Sequence, residues 1–167
     1  MRFGQSEFRI VVEDFEASEP IGDAQIRLRF DGVNWSVGGG GYESLGVVVP
    51  KLIAFARNGA ARHWGAFVGL HTAEDVIDTV TDHVFPPGAD SGPRRWDIAA
   101  ALFGYVLSAL FDANLGTDCV VSIRGIRDET IVVRSKNGAV EAHEVTIKNF
   151  DRAIEELAAW YAKIVAT

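Results

Sequence analysis

The stretch Asp118–Ile147, DCVVSIRGIRDETIVVRSKNGAVEAHEVTI, decides the fold. Apolar residues recur along it at strand spacing, and Asn137-Gly138 interrupts it with the dipeptide most favoured in a tight hairpin turn. The pattern predicts strands at Asp118 to Ile126, Glu129 to Ser135 and Ala139 to Ile147, the last two joined directly as an antiparallel pair. Val121 and Ile123 follow Cys119 at strand spacing, so the one cysteine of the chain reads as a buried structural thiol. A single cysteine forms no internal disulfide, which fits a reducing compartment.

Working outward, the segment after this hairpin carries Phe150, Ile154, Leu157, Tyr161 and Ile164 in one stripe, the spacing of an amphipathic helix, with Trp160 at its edge. The segment before it, Asp97 to Ala113, is apolar nearly all round and reads as a central buried helix. Nearer the start, Glu7 to Val12 and Asp23 to Phe30 alternate as strands. Asp31-Gly32 marks a hairpin to a third strand at Val33 to Val37. The acidic link between the first two strands, with Glu13, Asp14, Glu16 and Glu19, suits an exposed connection. Pro50 fits the first turn of a helix running through Lys51 to Arg57 and stopped by Asn58-Gly59. Trp64 to Leu70 reads as a short strand. Thr72 is placed to cap a helix reaching about His83 that buries Val76, Ile77, Val80 and Val84.

Strands paired by hairpins, with helices inserted rather than strictly alternating, predict an α+β fold. The expected architecture is a single domain over residues 1–167, with a largely antiparallel sheet of about five to six strands and three to four helices mainly on one face. A doubly wound parallel sheet is the competing architecture. An apolar share of 48% and a charged share of 23% are those of a soluble globular protein. The start, MRFGQSEFRIVVED, lacks the apolar run of a secretory signal, and Ile98 to Phe111 is shorter than a membrane span. The expected location is the cytoplasm, with no membrane partner.

The formal net charge of −7 disfavours direct nucleic-acid binding and favours a basic protein surface as partner. The glycine run in Ser36–Gly46, SVGGGGYESLG, is no phosphate cradle: Val47 and Val48 stand where a P-loop needs Lys and Ser or Thr. The dinucleotide pattern fails in every register, so no nucleotide cofactor is expected. No G-x-S-x-G elbow and no metal-binding spacing of histidines is present, so neither a catalytic residue nor a metal site is expected. From His63 to Pro93 there is no Lys or Arg, while Glu74, Asp75, Asp78 and Asp82 fall on the predicted helix. Glu74, Asp78 and Asp82 share one helical face, where like charges cost about 0.2–0.5 kcal/mol per pair. That face reads either as a solvated surface or as an acidic ridge that steers a basic partner. Trp35, Tyr42 and Glu43 bracket the glycines and are candidate interface residues, Trp35 fitting a core role as well. A small-molecule site built from Gly38 to Gly41, Tyr42, His63 and Trp64 is the alternative, and a secretion-system adaptor or chaperone is a third.

The opening MRFGQSEFRIVVE and the closing series Phe111–Tyr161, which begins FDANLGTDCVV and ends in the striped helix, resemble immunity proteins of bacterial polymorphic toxin systems, most nearly the immunity protein 42 family. In that pattern a Phe-Gly start leads into a strand, and a Phe-Asp, here Phe111-Asp112, precedes the hairpin and the last helix. The resemblance implies a cytoplasmic antidote that binds a cognate toxin domain and blocks its active site or substrate access. It implies no cofactor and no chemistry by the antidote, and it transfers no specific binding residues.

Overall fold

A computed structural model describes residues 1–5, 7–16, 23–30, 33–36, 43–67, 69–84, 104–107, 119–134 and 138–166. The fold is α+β with antiparallel strands, as expected, but its strands divide between two sheets instead of forming one. The first sheet contains β1 (Arg2–Gly4), β2 (Phe8–Glu16), β3 (Asp23–Phe30), β4 (Val33–Ser36) and β5 (Glu43–Ser44), in the order β1-β2-β3-β4 with β5 also on β3. The second contains β6 (Cys119–Arg124), β7 (Asp128–Arg134) and β8 (Val140–Thr146) in sequence order. Among the described residues the helices are α1 (Leu45–Arg57), α2 (Ala73–Val84) and α3 (Ile147–Val165).

The hairpin registers follow the turn residues. Phe30 opposes Val33 across Asp31-Gly32, and Arg134 opposes Val140 around a turn in which Gly138 has a φ of 83°. A two-sided burial pattern explains why the second sheet is so apolar. Val120, Ile131, Val133 and Val145 join the core formed by β1, β2, α1 and α3, while Val121, Ile123 and Val132 face α2. The stripe of α3 buries Phe150, Ile154 and Leu157, and Phe150 stacks on Phe8 with ring centroids 5.0 Å apart. Trp160 packs between Phe3 and Phe15, at 5.4 and 5.5 Å.

The end of β8 and the start of α3 are held from outside. Thr146 caps α3 by accepting from the Asn149 amide, and the Glu7 carboxylate accepts from the Thr146 amide at 2.9 Å and from the Asn149 side chain. An acid at a helix N-terminus also gains from the helix dipole. Those bonds, led by the one from Asn149, hold the Glu7 carboxyl below its ordinary value.

Several expectations are corrected. Glu13, Asp14 and Glu16 belong to β2, not to a link: pairing with β3 continues from Glu13 to Gln25 and, past a bulge, from Glu16 to Asp23. Backbone pairing there overrides the weak strand preference of acidic residues. Helix α1 begins at Leu45, so Pro50 lies inside it. An interior proline costs about 3 kcal/mol. Burying Leu45, Val48 and Val49 outweighs that, at about 1.5–3 kcal/mol per side chain. Trp64–Phe67 is a 3-10 turn and not a strand. Strand β1 was not anticipated, since three residues are too few for a periodicity. Within the predicted central helix, the described residues 104–107 make a turn and an isolated bridge, Val106 to Val121; its other residues, and Gly38 to Gly41, lie outside the described ones.

Candidate functional site

The apolar face of the second sheet ends in charge. Alternation in β6 places Ser122 and Arg124 in phase with Val120, and in β7 it places Glu129 in phase with Ile131 and Val133. Arg124 and Glu129 oppose each other across the hairpin. Glu129 and Ser122 are fully buried, as is Arg62 from the segment after α1, at 1% exposure. The Glu129 carboxylate accepts from Arg62 at 2.7 Å, from Arg124 Nε at 2.7 Å, and from the Ser122 hydroxyl. The other end of the Arg124 guanidinium donates to Asp151 of α3, at 2.6 and 3.3 Å. Two arginines and two carboxylates thus neutralise one another, as buried charges must.

Arg62 also donates to the Phe55 carbonyl and lies with its guanidinium carbon 3.7 Å from the centroid of the Phe55 ring, a cation–π contact. Its Nε has no partner. Burial pushes the Arg62 value down, against the pull of Glu129. Burial also opposes the charge on Arg124, but its bonds to Asp151 and Glu129 prevail and hold it above its usual value. Gly59 makes the arrangement possible, since a Cβ there would lie 2.4 Å from the Arg124 guanidinium carbon. Tyr105 secures the same segment: its hydroxyl lies 3.0 and 3.1 Å from the Ala61 and His63 carbonyls, and its own carbonyl accepts from the Ser122 amide at 2.8 Å. Burial raises the Tyr105 hydroxyl value.

These contacts mount the β6–β7 turn. The Gly125 amide donates to the Asp128 carbonyl at 2.7 Å, the Arg124 amide to the Arg62 carbonyl at 2.6 Å, and the Ile147 amide to the Arg127 carbonyl at 3.0 Å. An open cleft of about 770 Å³ adjoins the turn, lined by His63, Gly65, Arg124, Gly125, Ile126, Arg127 and Asp128.

The acidic residues anticipated on α2 have separate local roles. Asp75 closes a capping box with Thr72: its amide donates to the Thr72 hydroxyl oxygen at 3.1 Å, and its carboxylate accepts from the Thr72 and His71 amides at 3.1 and 3.2 Å. The Thr72 hydroxyl and these amides hold the Asp75 carboxyl below its ordinary value. Asp78 pairs with Arg134 of β7, which relieves the repulsion in the middle of the row, while Glu74 and Asp82 are exposed. Trp35 is in β4 and Glu43 in β5, whereas Tyr42 lies outside the described residues. Helix α2 packs on the second sheet, whereas Trp35 and Glu43 lie in strands of the first. Of the alternative small-molecule set, His63 lies at the cleft; Gly38 to Gly41 and Tyr42 lie outside the described residues. Cys119 is free and partly buried, and burial raises its thiol value.

Sequence reasoning passed over Arg62, Ser122, Arg124, Glu129 and Asp151. The available signal was phase: Ser122, Arg124 and Glu129 occupy the buried side of alternating strands, where a polar residue needs a partner. Among the described residues no group of three or more potential metal ligands comes together, and no helix is long and apolar enough to cross a membrane.

No protein-family model and no curated protein matches the sequence, so the likeness of its ends to the immunity protein 42 family stands on those residues alone. A solved structure does match: CdiI from Burkholderia dolosa AUO158 shares 13% identity over 96% of this chain and 99% of that one, with a TM-score of 0.65. At that identity the likeness is one of fold, and it extends over nearly the whole length of both chains.

Proposed function

We propose that this chain is an immunity protein that binds a cognate bacterial toxin domain and neutralises it by occluding its active site or substrate-binding surface. The observation that carries the reading is the fold shared with CdiI, an immunity protein of contact-dependent inhibition, over almost all of both chains. The resemblance of the chain ends to polymorphic-toxin immunity proteins, drawn from other grounds, points the same way. In this reading the protein acts in the cytoplasm as an inhibitor, without cofactor and without turnover. A net charge of −7 suits a toxin with a basic surface. Glu74, Asp78 and Asp82 would steer that surface during approach, and Asp75 adds its charge at the start of the same helix. Trp35, Tyr42 and Glu43 are proposed as a further contact around the glycine run.

Co-expression tests the reading. Cells producing the toxin domain encoded beside this gene should stop growing, and the chain supplied in trans should restore growth. Continued arrest, with the chain present and folded, would refute it.

A further inference from the structure

Ile126 stands at the tip of the β6–β7 hairpin with 99% of its surface exposed. Turn tips favour Gly, Asn, Asp and Ser, and a β-branched apolar side chain there contributes nothing to the core. A single exposed apolar residue is ordinary on a protein surface. This one differs in its mount. Backbone bonds hold the turn from both sides, and Arg124 ties its base to Glu129 and Asp151. A side chain on such a mount loses little freedom when a partner closes over it.

The cleft beside the tip has a definite polarity. His63 Nδ1 accepts from the Gly65 amide at 3.0 Å, which leaves Nε2 as the donating nitrogen of the neutral ring. Arg127 is exposed, and among the described residues its side chain has no ion pair. The Arg124 charge is already matched by Glu129 and Asp151. Among the described residues, donors from His63 and Arg127 therefore flank an apolar knob, and Asp128 is the acid on the lip. The net charge of −7 disfavours carboxylates over the surface as a whole, so donors at this place help to orient an acidic group on a partner.

We propose that the β6–β7 tip is the anchor through which this chain grips its protein partner, Ile126 entering an apolar socket while Arg127 and His63 meet a carboxylate on the rim of that socket. The partner's identity as a toxin domain rests on the immunity reading above. The tip holds the complex together, and the acidic row of α2 acts on approach, so the two surfaces separate kinetically.

The test measures association and dissociation of the purified chain with the toxin domain encoded beside its gene. Ile126→Asp should raise Kd about 30-fold or more, through faster dissociation, as loss of a buried anchor does. Arg127→Glu should raise it about 10-fold by placing like charges together. Both residues are exposed, so thermal unfolding of the variants should match that of the unaltered chain. Wild-type affinity in both variants would overturn the anchor and leave the immunity reading standing. Failure of the unaltered chain itself to bind would overturn both. A metabolite that stabilises the unaltered chain but not His63→Ala, with toxin binding indifferent to all three changes, would assign the cleft to a small molecule instead.

Discussion

The two ends of the second sheet carry ion pairs of opposite kinds. At the β6–β7 turn, Glu129 is buried between Arg62 and Arg124, and Arg124 also pairs with Asp151. At the other end, Arg134 meets Asp78 with 28% and 59% of their side chains exposed. The chemistry is the same, a guanidinium and a carboxylate, and only the access of water differs. Water decides what each pair is for. The buried group is costly to assemble and far more costly to break in half, so it fixes the position of what it joins. The exposed pair holds little energy and leaves its charge visible to an approaching molecule.

The contrast can be broken most directly at Glu129. Glu129→Ala should cost about 3–5 kcal/mol in urea unfolding, because the buried Arg62 and the partly buried Arg124 lose their shared carboxylate. A loss below about 1 kcal/mol would mean that water reaches the site and that the two ends do not differ. Next in size, Gly59→Ala should cost about 1–3 kcal/mol, since the new methyl displaces a guanidinium pinned at two points. The double variant Gly59→Ala with Arg124→Ala should recover part of that loss relative to Arg124→Ala alone, because the clash has gone.

Glu7 gives an intermediate case with a pH signature. Its folded value lies below the ordinary 4.5, so its contribution is present above that value and is lost as pH falls through the lower folded one. Glu7→Gln should therefore be less stable than the unaltered chain at neutral pH, by about 0.5–1 kcal/mol for a solvent-screened cap. The difference should vanish in acid below the folded value. A gap that stays constant across that range would remove the charge from the explanation. Smallest of all, Asp78→Ala should change stability by less than about 1 kcal/mol, and less in high salt than in low.

Much of the fold was legible because local rules and burial agreed. Strand β3 runs from Asp23 to Phe30, as its alternation predicted, and α2 starts after the Thr72 cap. The stripe from Phe150 to Leu157 is buried as its helical spacing required. Legibility failed where a distant partner overruled local preference. The residues of β2 beyond Val12 look like a link and pair because β3 lies beside them. Pro50 looks like a helix start and is carried inside α1 by the apolar residues before it.

The candidate site was less legible than the fold. Arg62 stands in RNGAARHW, a polar, glycine-containing run that by itself reads as an exposed loop. Its burial depends on Phe55 beneath it and on Glu129, a residue 67 positions away. Ile126 is equally silent: its spacing reads as the end of a strand, and it is the exposed tip of a turn.

The sequence by itself determined the α+β class, the antiparallel hairpins, the capped and striped helices and the acidic character of the chain. These follow from periods of two and 3.6 residues and from turn chemistry, all of which act over a few positions. Only the tertiary structure decided that the strands form two sheets, and which charges are buried. It also decided that an isoleucine stands exposed on a tip held by backbone bonds. Each of these depends on contacts between residues far apart in the chain, where access to water is set by the whole packed molecule and no local pattern records it.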